Sequence, residues 1–416
     1  MSPGNTNRIF YGWVITGAGL IIGTLLFGTR YSFGVFFTSI EGEFQLSRTA
    51  TSTIFSVYML LAPLFAIIGG WALDRYGPRI TTISMGLFTG LSLLLTSQVD
   101  ASWQLFITYS LLLAIGTGAA YTTIMSTISR WFDRKRGLAL GIGGAGGGMG
   151  TVVLAPLAAY LIASYDWRMA YAVIGLLVAV AVIASSLLLR KNPAEMGLLP
   201  DGVSSHISKI LKNNDAGPVS FSLRQAFGMR SFWVLSVVWL SFSVCLHLLL
   251  THLVPHITDR GTSATEAALI LGLIGSISIP GRLVIGWVSD RIGRKIAGVS
   301  CALIQCGAML WLAWAQDLWM LYLFAIVYGF AYGGLDSPVT AMIGDIFGLR
   351  NIGVIMGVLG ISFGIGAAIG PTLGGLIYDG SQSYFVAFLI GAGAMLISAL
   401  SVAFVRGESG KEAGSG

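Results

Sequence analysis

Gly69-Gly-Trp-Ala-Leu-Asp-Arg-Tyr-Gly-Pro-Arg79 decides the fold, because it returns as Ile285-Gly-Trp-Val-Ser-Asp-Arg-Ile-Gly-Arg-Lys295. Gly70, Asp74, Arg75 and Gly77 reappear as Gly286, Asp290, Arg291 and Gly293, each 216 residues later. Gly141, Gly148 and Gly150 return at the same offset as Gly357, Gly364 and Gly366. The chain is therefore two copies of one plan. Each polar motif closes a long apolar run, so the repeating unit is built from membrane-length helices, as in carriers with a site between repeats.

Composition agrees with this setting. Of 416 residues 55% are hydrophobic and 10% charged, whereas soluble domains carry about 25% charged residues. Twelve apolar runs are each long enough to cross a ~30 Å hydrocarbon core as a helix. They lie near 11 to 36, 51 to 73, 80 to 99, 103 to 129, 137 to 164, 168 to 189, 231 to 257, 266 to 289, 297 to 315, 319 to 345, 352 to 378 and 383 to 405. The expected fold is an all-α membrane protein of twelve transmembrane helices in two six-helix halves, residues 1–190 and 231–406. A polar segment, 191–230, links the halves, and 407–416 reads as a disordered tail.

Apart from Arg30 and Arg282 within spans and Arg48, Arg168 and Arg260 in odd-numbered loops, the 24 Lys and Arg flank the termini and the even-numbered loops. The positive-inside rule then places both termini in the cytoplasm, and the expected location is the inner (plasma) membrane. The net charge of +6 follows from that bias and gives no reason to expect nucleic acid. No cleavable leader is expected, since the first nine residues are polar and the following run is span-length. Cys245, Cys301 and Cys306 have no paired spacing, so neither disulfides nor a zinc site is expected.

Arg282 lies inside the run 267–288. A charge at that depth costs from ~2.5 to over 10 kcal/mol, so it must face protein or a water-filled cavity. A guanidinium can grip a carboxylate with two parallel hydrogen bonds, which makes Arg282 the candidate anion site. Asp336 stands at a matching depth on the tenth helix, ~12 to 13 Å from the same boundary, so the two can meet. Tyr328, Tyr332 and Asp336 share one helix face, and Thr117, Tyr121 and Met125 make another. Tyr31 is a further candidate beside Arg30, which is expected to snorkel toward the outer end of a helix ending near residue 36. His247 and His252 are five residues apart and do not share a face, so no metal site follows. His252 is a candidate for the cavity lining and for carrying a proton.

The two motif loops, in a six-plus-six layout with a long central segment, resemble those of the major facilitator superfamily. Arg30-Tyr-Ser-Phe-Gly-Val-Phe-Phe37, Arg130 to Gly150 and Tyr328 to Ser337 resemble the first, fourth-to-fifth and tenth helices of the monocarboxylate transporters. The resemblance implies a proton-coupled carrier of small monocarboxylates such as lactate or pyruvate. On that reading Arg282, Tyr121, Tyr332, Tyr31 and His252 contact substrate, and Asp336 or His252 carries the proton. Asp74, Arg75, Asp290 and Arg291 serve as gating elements. The expected partners are the carboxylate anion, a proton and the bilayer, with no cofactor and a monomeric chain.

Departures from the pattern matter too. Tyr31 stands where animal relatives carry a lysine, and Ser278 where they carry an aspartate. The oxalate/formate exchangers, the alternative reading, carry a second basic residue near Leu359, and no Lys or Arg lies between Asn351 and Arg406. One buried cation balances one carboxylate, which favours a monoanion. Other classes are weaker. Gly141-Ile-Gly-Gly-Ala-Gly146 matches a dinucleotide-binding pattern without the preceding strand, and its small residues suit close helix packing instead. No Walker A motif, catalytic cluster or channel filter is readable, so no enzyme is expected.

Overall fold

The structure, a computed structural model, describes residues 10–132, 135–200, 221–347 and 352–405. Every regular element among the described residues is helical. Among the described residues eleven helices are long and apolar enough to cross a membrane. One of them, Arg48–Thr96, is 49 residues long and contains Gly77 at φ 80°, ψ 170°, outside the helical region. Only glycine adopts that conformation readily, so Gly77 ends one crossing and begins the next, making twelve. Its repeat partner Gly293, at φ 93°, ψ 139°, separates the eighth crossing, Ala264–Ile292, from the ninth, Arg294–Trp314. The motif's glycine is thus the hinge of a hairpin in each half.

The first crossing is longer than its apolar run. Tyr11–Tyr31 is followed, across Ser32, by a second helix, Phe33–Phe44. Ser222 caps a short helix, Leu223–Gly228, which leads into the seventh crossing, Arg230–Thr258. At the other end of the expected linker Pro193–Met196 forms one 3-10 turn, whereas its residues 201–220 and the expected disordered tail lie outside the described residues.

The halves meet mainly along two helix pairs, and Phe33–Phe44 also packs on the seventh crossing. The second crossing packs on the eleventh (Ile352–Ser381), and the fifth (Leu138–Ser164) on the eighth. Glycines permit the approach: a Cβ on Gly148 would sit 2.7 Å from the Gly275 carbonyl oxygen across the interface. The small-residue stretch of the fifth crossing also packs inside its own half, where a Cβ on Gly150 would sit 2.5 Å from the Gly28 nitrogen. In the C-terminal half Gly333 lies directly against the Ser278 carbonyl, so the tenth crossing, Leu318–Phe347, can run close beside the eighth. That contact brings Asp336 toward Arg282.

The two ends of the molecule differ. At the end away from the chain termini, Arg48 of the N-terminal half bonds Asp259 of the C-terminal half through both terminal nitrogens at 2.7 Å. Asp379 accepts from the Arg48 and Thr49 amides at 3.0 and 2.9 Å. At the terminus end, Arg130 pairs with Asp74 at 3.2 Å, and Arg294 pairs with Asp290 at 3.6 Å and Asp345 at 2.5 Å. These pairs stay within their own halves. Among the described residues the cross-interface polar contact nearest that end is Arg282 to Gly144. The far end is closed by an ion pair between the halves, and among the described residues the terminus end has none.

Candidate substrate site

Arg282 and Asp336 do meet. Nη2 of Arg282 is 3.4 Å from Oδ2 of Asp336, and the two side chains are 29% and 33% exposed. Nη1 donates to the Gly144 carbonyl of the opposite half at 3.1 Å. Nε is buried with no partner. The guanidinium therefore joins the halves while one of its donors stays unused. An ion pair this long and this wet is loosely held, since N–O distances of about 2.7–2.9 Å mark the strong ones. Ser337 Oγ donates to the Arg282 carbonyl at 3.2 Å and ties the two helices beside the pair.

Three tyrosines surround it. Tyr121 is half exposed and interacts electrostatically with both Asp336 and Arg282. It follows a break in the fourth crossing near Ala119, after which the helix Ala120–Trp131 resumes. Tyr332 interacts with Tyr31, Arg282, Asp336 and Arg30, and its ring stacks between Phe242 at 6.0 Å and Tyr328 at 6.4 Å. Tyr31 and Tyr332 line a narrow pocket between the halves, with Gly148, Thr151, Leu250 and Ile274. Tyr328 itself is buried, facing Cys245.

His252 is not part of this cluster. It is fully buried in the closed far end, where its Nε2–H donates to the Pro371 carbonyl at 2.7 Å and its Nδ1 accepts from Tyr384 at 3.0 Å. A carbonyl can only accept, which assigns that tautomer. Tyr384 in turn accepts from Arg48 Nη1 at 2.7 Å. Glu41, 3.2 Å from Arg48 Nε, and the Tyr378 ring, 3.7 Å from its guanidinium carbon, complete a clasp in which all three guanidinium nitrogens have acceptors. The expected gating residues sit at the other end. Asp74 also accepts from Lys191 through its carbonyl, Arg75 lies over Trp71 and Tyr76, and Arg291 over Trp287.

Arg30 corrects an expectation. Because the first crossing continues as Phe33–Phe44, Arg30 lies roughly twenty ångströms from its far end instead of near it. It turns inward, with Nη2 3.2 Å from His247 Nε2 and 3.1 Å from the Met59 sulfur. Arg30 is expected from the sequence to snorkel outward because polar residues such as Thr38, Glu41 and Glu43 make its helix look finished, and His247 is weighed there only as a metal ligand. The continuing repeat of Phe33, Phe37 and Ile40 was the available signal.

The sequence profile of the Major Facilitator Superfamily matches residues 19–306 and 262–415. The chain belongs to that superfamily, and is a multi-pass membrane transporter and not an enzyme. Within it, the chain is 26% identical over 409 residues to monocarboxylate transporter 13 of Bos taurus, covering 94% of this chain and 88% of that one. It is 24% identical over 417 residues to monocarboxylate transporter 12 of Homo sapiens, covering 95% and 80%. Its fold is similar to that of a D-xylose-proton symporter, with TM-score 0.75, 16% identity and coverage of 96% and 99%. A bacterial homologue of the human lysosomal transporter Spinster, in an inward-facing and unoccupied conformation, gives TM-score 0.72 at 17% identity, covering 96% and 95%.

Proposed function

We propose that this chain carries small monocarboxylates of the lactate and pyruvate type together with a proton, by alternating access. The observation that supports this reading best is the loose Arg282–Asp336 pair, with one guanidinium donor unused. An arriving carboxylate takes Arg282 in a forked pair, and Asp336, released from its partner, takes up a proton. Tyr121 and Tyr332 supply hydroxyls at the rim of the same space, and Tyr31 closes it from the N-terminal half. The rocking of the halves then breaks the Arg48–Asp259 clasp and closes the opposite end, where the Asp74, Arg75, Asp290 and Arg291 loops act as gates. The terminus end is cytoplasmic, the membrane is the plasma (inner) membrane, and the working unit is one chain.

Charge supports the coupling. Arg30 and Arg282 against Asp336 leave one net positive charge in the empty interior. A bound carboxylate with a protonated Asp336 leaves the same charge. Empty and loaded carriers then cross at equal electrostatic cost, and neither buries a further unpaired charge.

The test is L-lactate uptake into proteoliposomes with an imposed pH gradient. Accumulation against the lactate gradient, collapsed by a protonophore and lost in Asp336→Asn, is the expected result. Counterflow of carboxylates without any response to the pH gradient would replace symport with exchange.

A further inference from the structure

Among the described residues Gln305 is the one buried side-chain amide, and the mechanism above gives it no part. It stands on the ninth crossing and is fully enclosed. Its Nε2 donates to the Ala331 carbonyl of the tenth crossing at 3.2 Å and, more loosely, to the Cys301 carbonyl of its own helix at 3.5 Å. Both partners can only accept, which fixes which end of the amide faces them. The other end, Oε1, is buried with no partner. An unpaired acceptor in such a place is costly, and a leucine there would carry no such cost.

The stretch that Gln305 touches is the least supported part of the tenth crossing. In an unbroken helix the Ala331 carbonyl serves the Leu335 N–H, and the Gly334 carbonyl serves the N–H of residue 338. Gln305 shares the first carbonyl, and Pro338 has no N–H to give the second. Gly333 and Gly334 stand between them. A Cβ on Gly334 would sit 2.7 Å from Ile285 Cγ1 of the eighth crossing and 3.0 Å from Cys301 Sγ of the ninth, so the stretch is wedged between both neighbours. Asp336 lies inside it, directly after Leu335.

Membrane helices tolerate such interruptions where a neighbour satisfies the backbone groups that are freed. A side-chain amide has the means, because it carries an N–H donor and a carbonyl acceptor as a peptide unit does. Opening of the bond from Leu335 to Ala331 would leave Nε2 on the Ala331 carbonyl and give the unused Oε1 an N–H to accept. Neither side of the opened bond is then orphaned.

We propose that Gln305 is a positioning residue for Asp336, a stand-in for helix backbone that lets the tenth crossing flex between Ala331 and Pro338 as Asp336 leaves Arg282. This rests on the reading of Asp336 as the proton carrier. Gln305 touches neither substrate nor proton; it sets how readily the carboxylate withdraws.

Hydrogen–deuterium exchange of the purified full-length protein, read together with L-lactate uptake in proteoliposomes, tests the assignment. Lactate should speed exchange over residues 331–338 of the native chain, the mark of a local opening. Gln305→Leu removes both stand-in groups, and Pro338→Ala restores the missing helical donor, so each should blunt that response. Uptake in Gln305→Leu should slow by roughly tenfold or more, the effect of one buried backbone group left unpaired in the flexed state. Lactate affinity by calorimetry should stay within about threefold of native, because Arg282 is untouched. The melting temperature should hold or rise, since no unpaired oxygen remains; a merely structural glutamine would give a lower one with the exchange response intact. Gln305→Met, unbranched and closer in shape, repeats the test where the leucine variant fails to fold. Native uptake in the folded Gln305 variants would overturn the proposal, as would an exchange response equal to the native one, a loss of affinity as large as the loss of rate, or native exchange that lactate leaves unaltered. Proton uptake on lactate binding that persists in Asp336→Asn would instead remove the Asp336 reading, and the exchange response would still decide whether Gln305 governs the flexing.

Discussion

Arg48 and Arg282 are both arginines inside a membrane-spanning bundle, and both bridge the two halves. Arg48 is 7% exposed and spends its donors on Asp259, Glu41 and Tyr384. Arg282 is 29% exposed, holds one carboxylate at 3.4 Å and keeps Nε unused. The first is a lock between helix ends. The second is a ligand awaiting a better partner than the one it has. What separates a structural arginine from a binding one in this fold is the number of donors left over, and both side chains look alike in the sequence.

The largest expected effect comes from breaking the loosely held side. Arg282→Ala should abolish L-lactate uptake, and Arg282→Lys, which keeps charge but loses the fork, should be severely impaired. Proteoliposome uptake by the correctly folded variants checks this. Near-normal uptake in Arg282→Ala would make the two arginines equivalent.

On the locked side, Arg48→Gln takes the buried member from a pair whose other member, Asp259, is partly exposed, which should destabilise the closed state. The balance should shift toward opening at the far end. A cysteine at Ser56, whose hydroxyl accepts from Thr372 across the interface at 2.8 Å, should become more reactive toward an impermeant maleimide in that background. Unchanged labelling would reduce the clasp to packing.

Substrate choice sharpens the charge argument. Lactate-sized acids should compete well, whereas oxalate, malonate and succinate should compete poorly, because Arg282 offers one fork and the Arg30 guanidinium is engaged by His247 and Met59. Tighter binding of oxalate than of L-lactate near pH 7 would reverse that order.

The smallest effect concerns the hinges. Gly77 and Gly293 have backbones that side chains rarely adopt, so Gly77→Ala should cost ~1–3 kcal/mol and lower the melting temperature with little change in lactate affinity. A variant as stable as the native chain would mean that the hairpin hinge relaxes freely.

The crossings were readable because apolar runs of span length leave few alternatives, and the repeat placed equivalent hinges in both halves. The Arg282–Asp336 pair was readable too, since two charges at equal depth on adjacent helices have few other partners. The far-end clasp was hidden. Glu41, Arg48, Asp259 and Tyr384 come from four helix ends spread over more than 300 residues, and Arg48 reads as one more loop arginine until the helices are assembled. His252 belongs to that clasp for the same reason. Arg30 was misplaced by the polar tail of its own helix, a case in which tertiary packing carried a helix past its hydrophobic run.

The most direct measurement is proton uptake on substrate binding, read with a pH indicator in weakly buffered solutions of purified protein. The account predicts about one proton taken up per L-lactate bound, since Asp336 protonates as Arg282 changes partner, and none in Asp336→Asn although lactate still binds. Proton uptake of the same size in Asp336→Asn would contradict it and send the search for the carrier to His252.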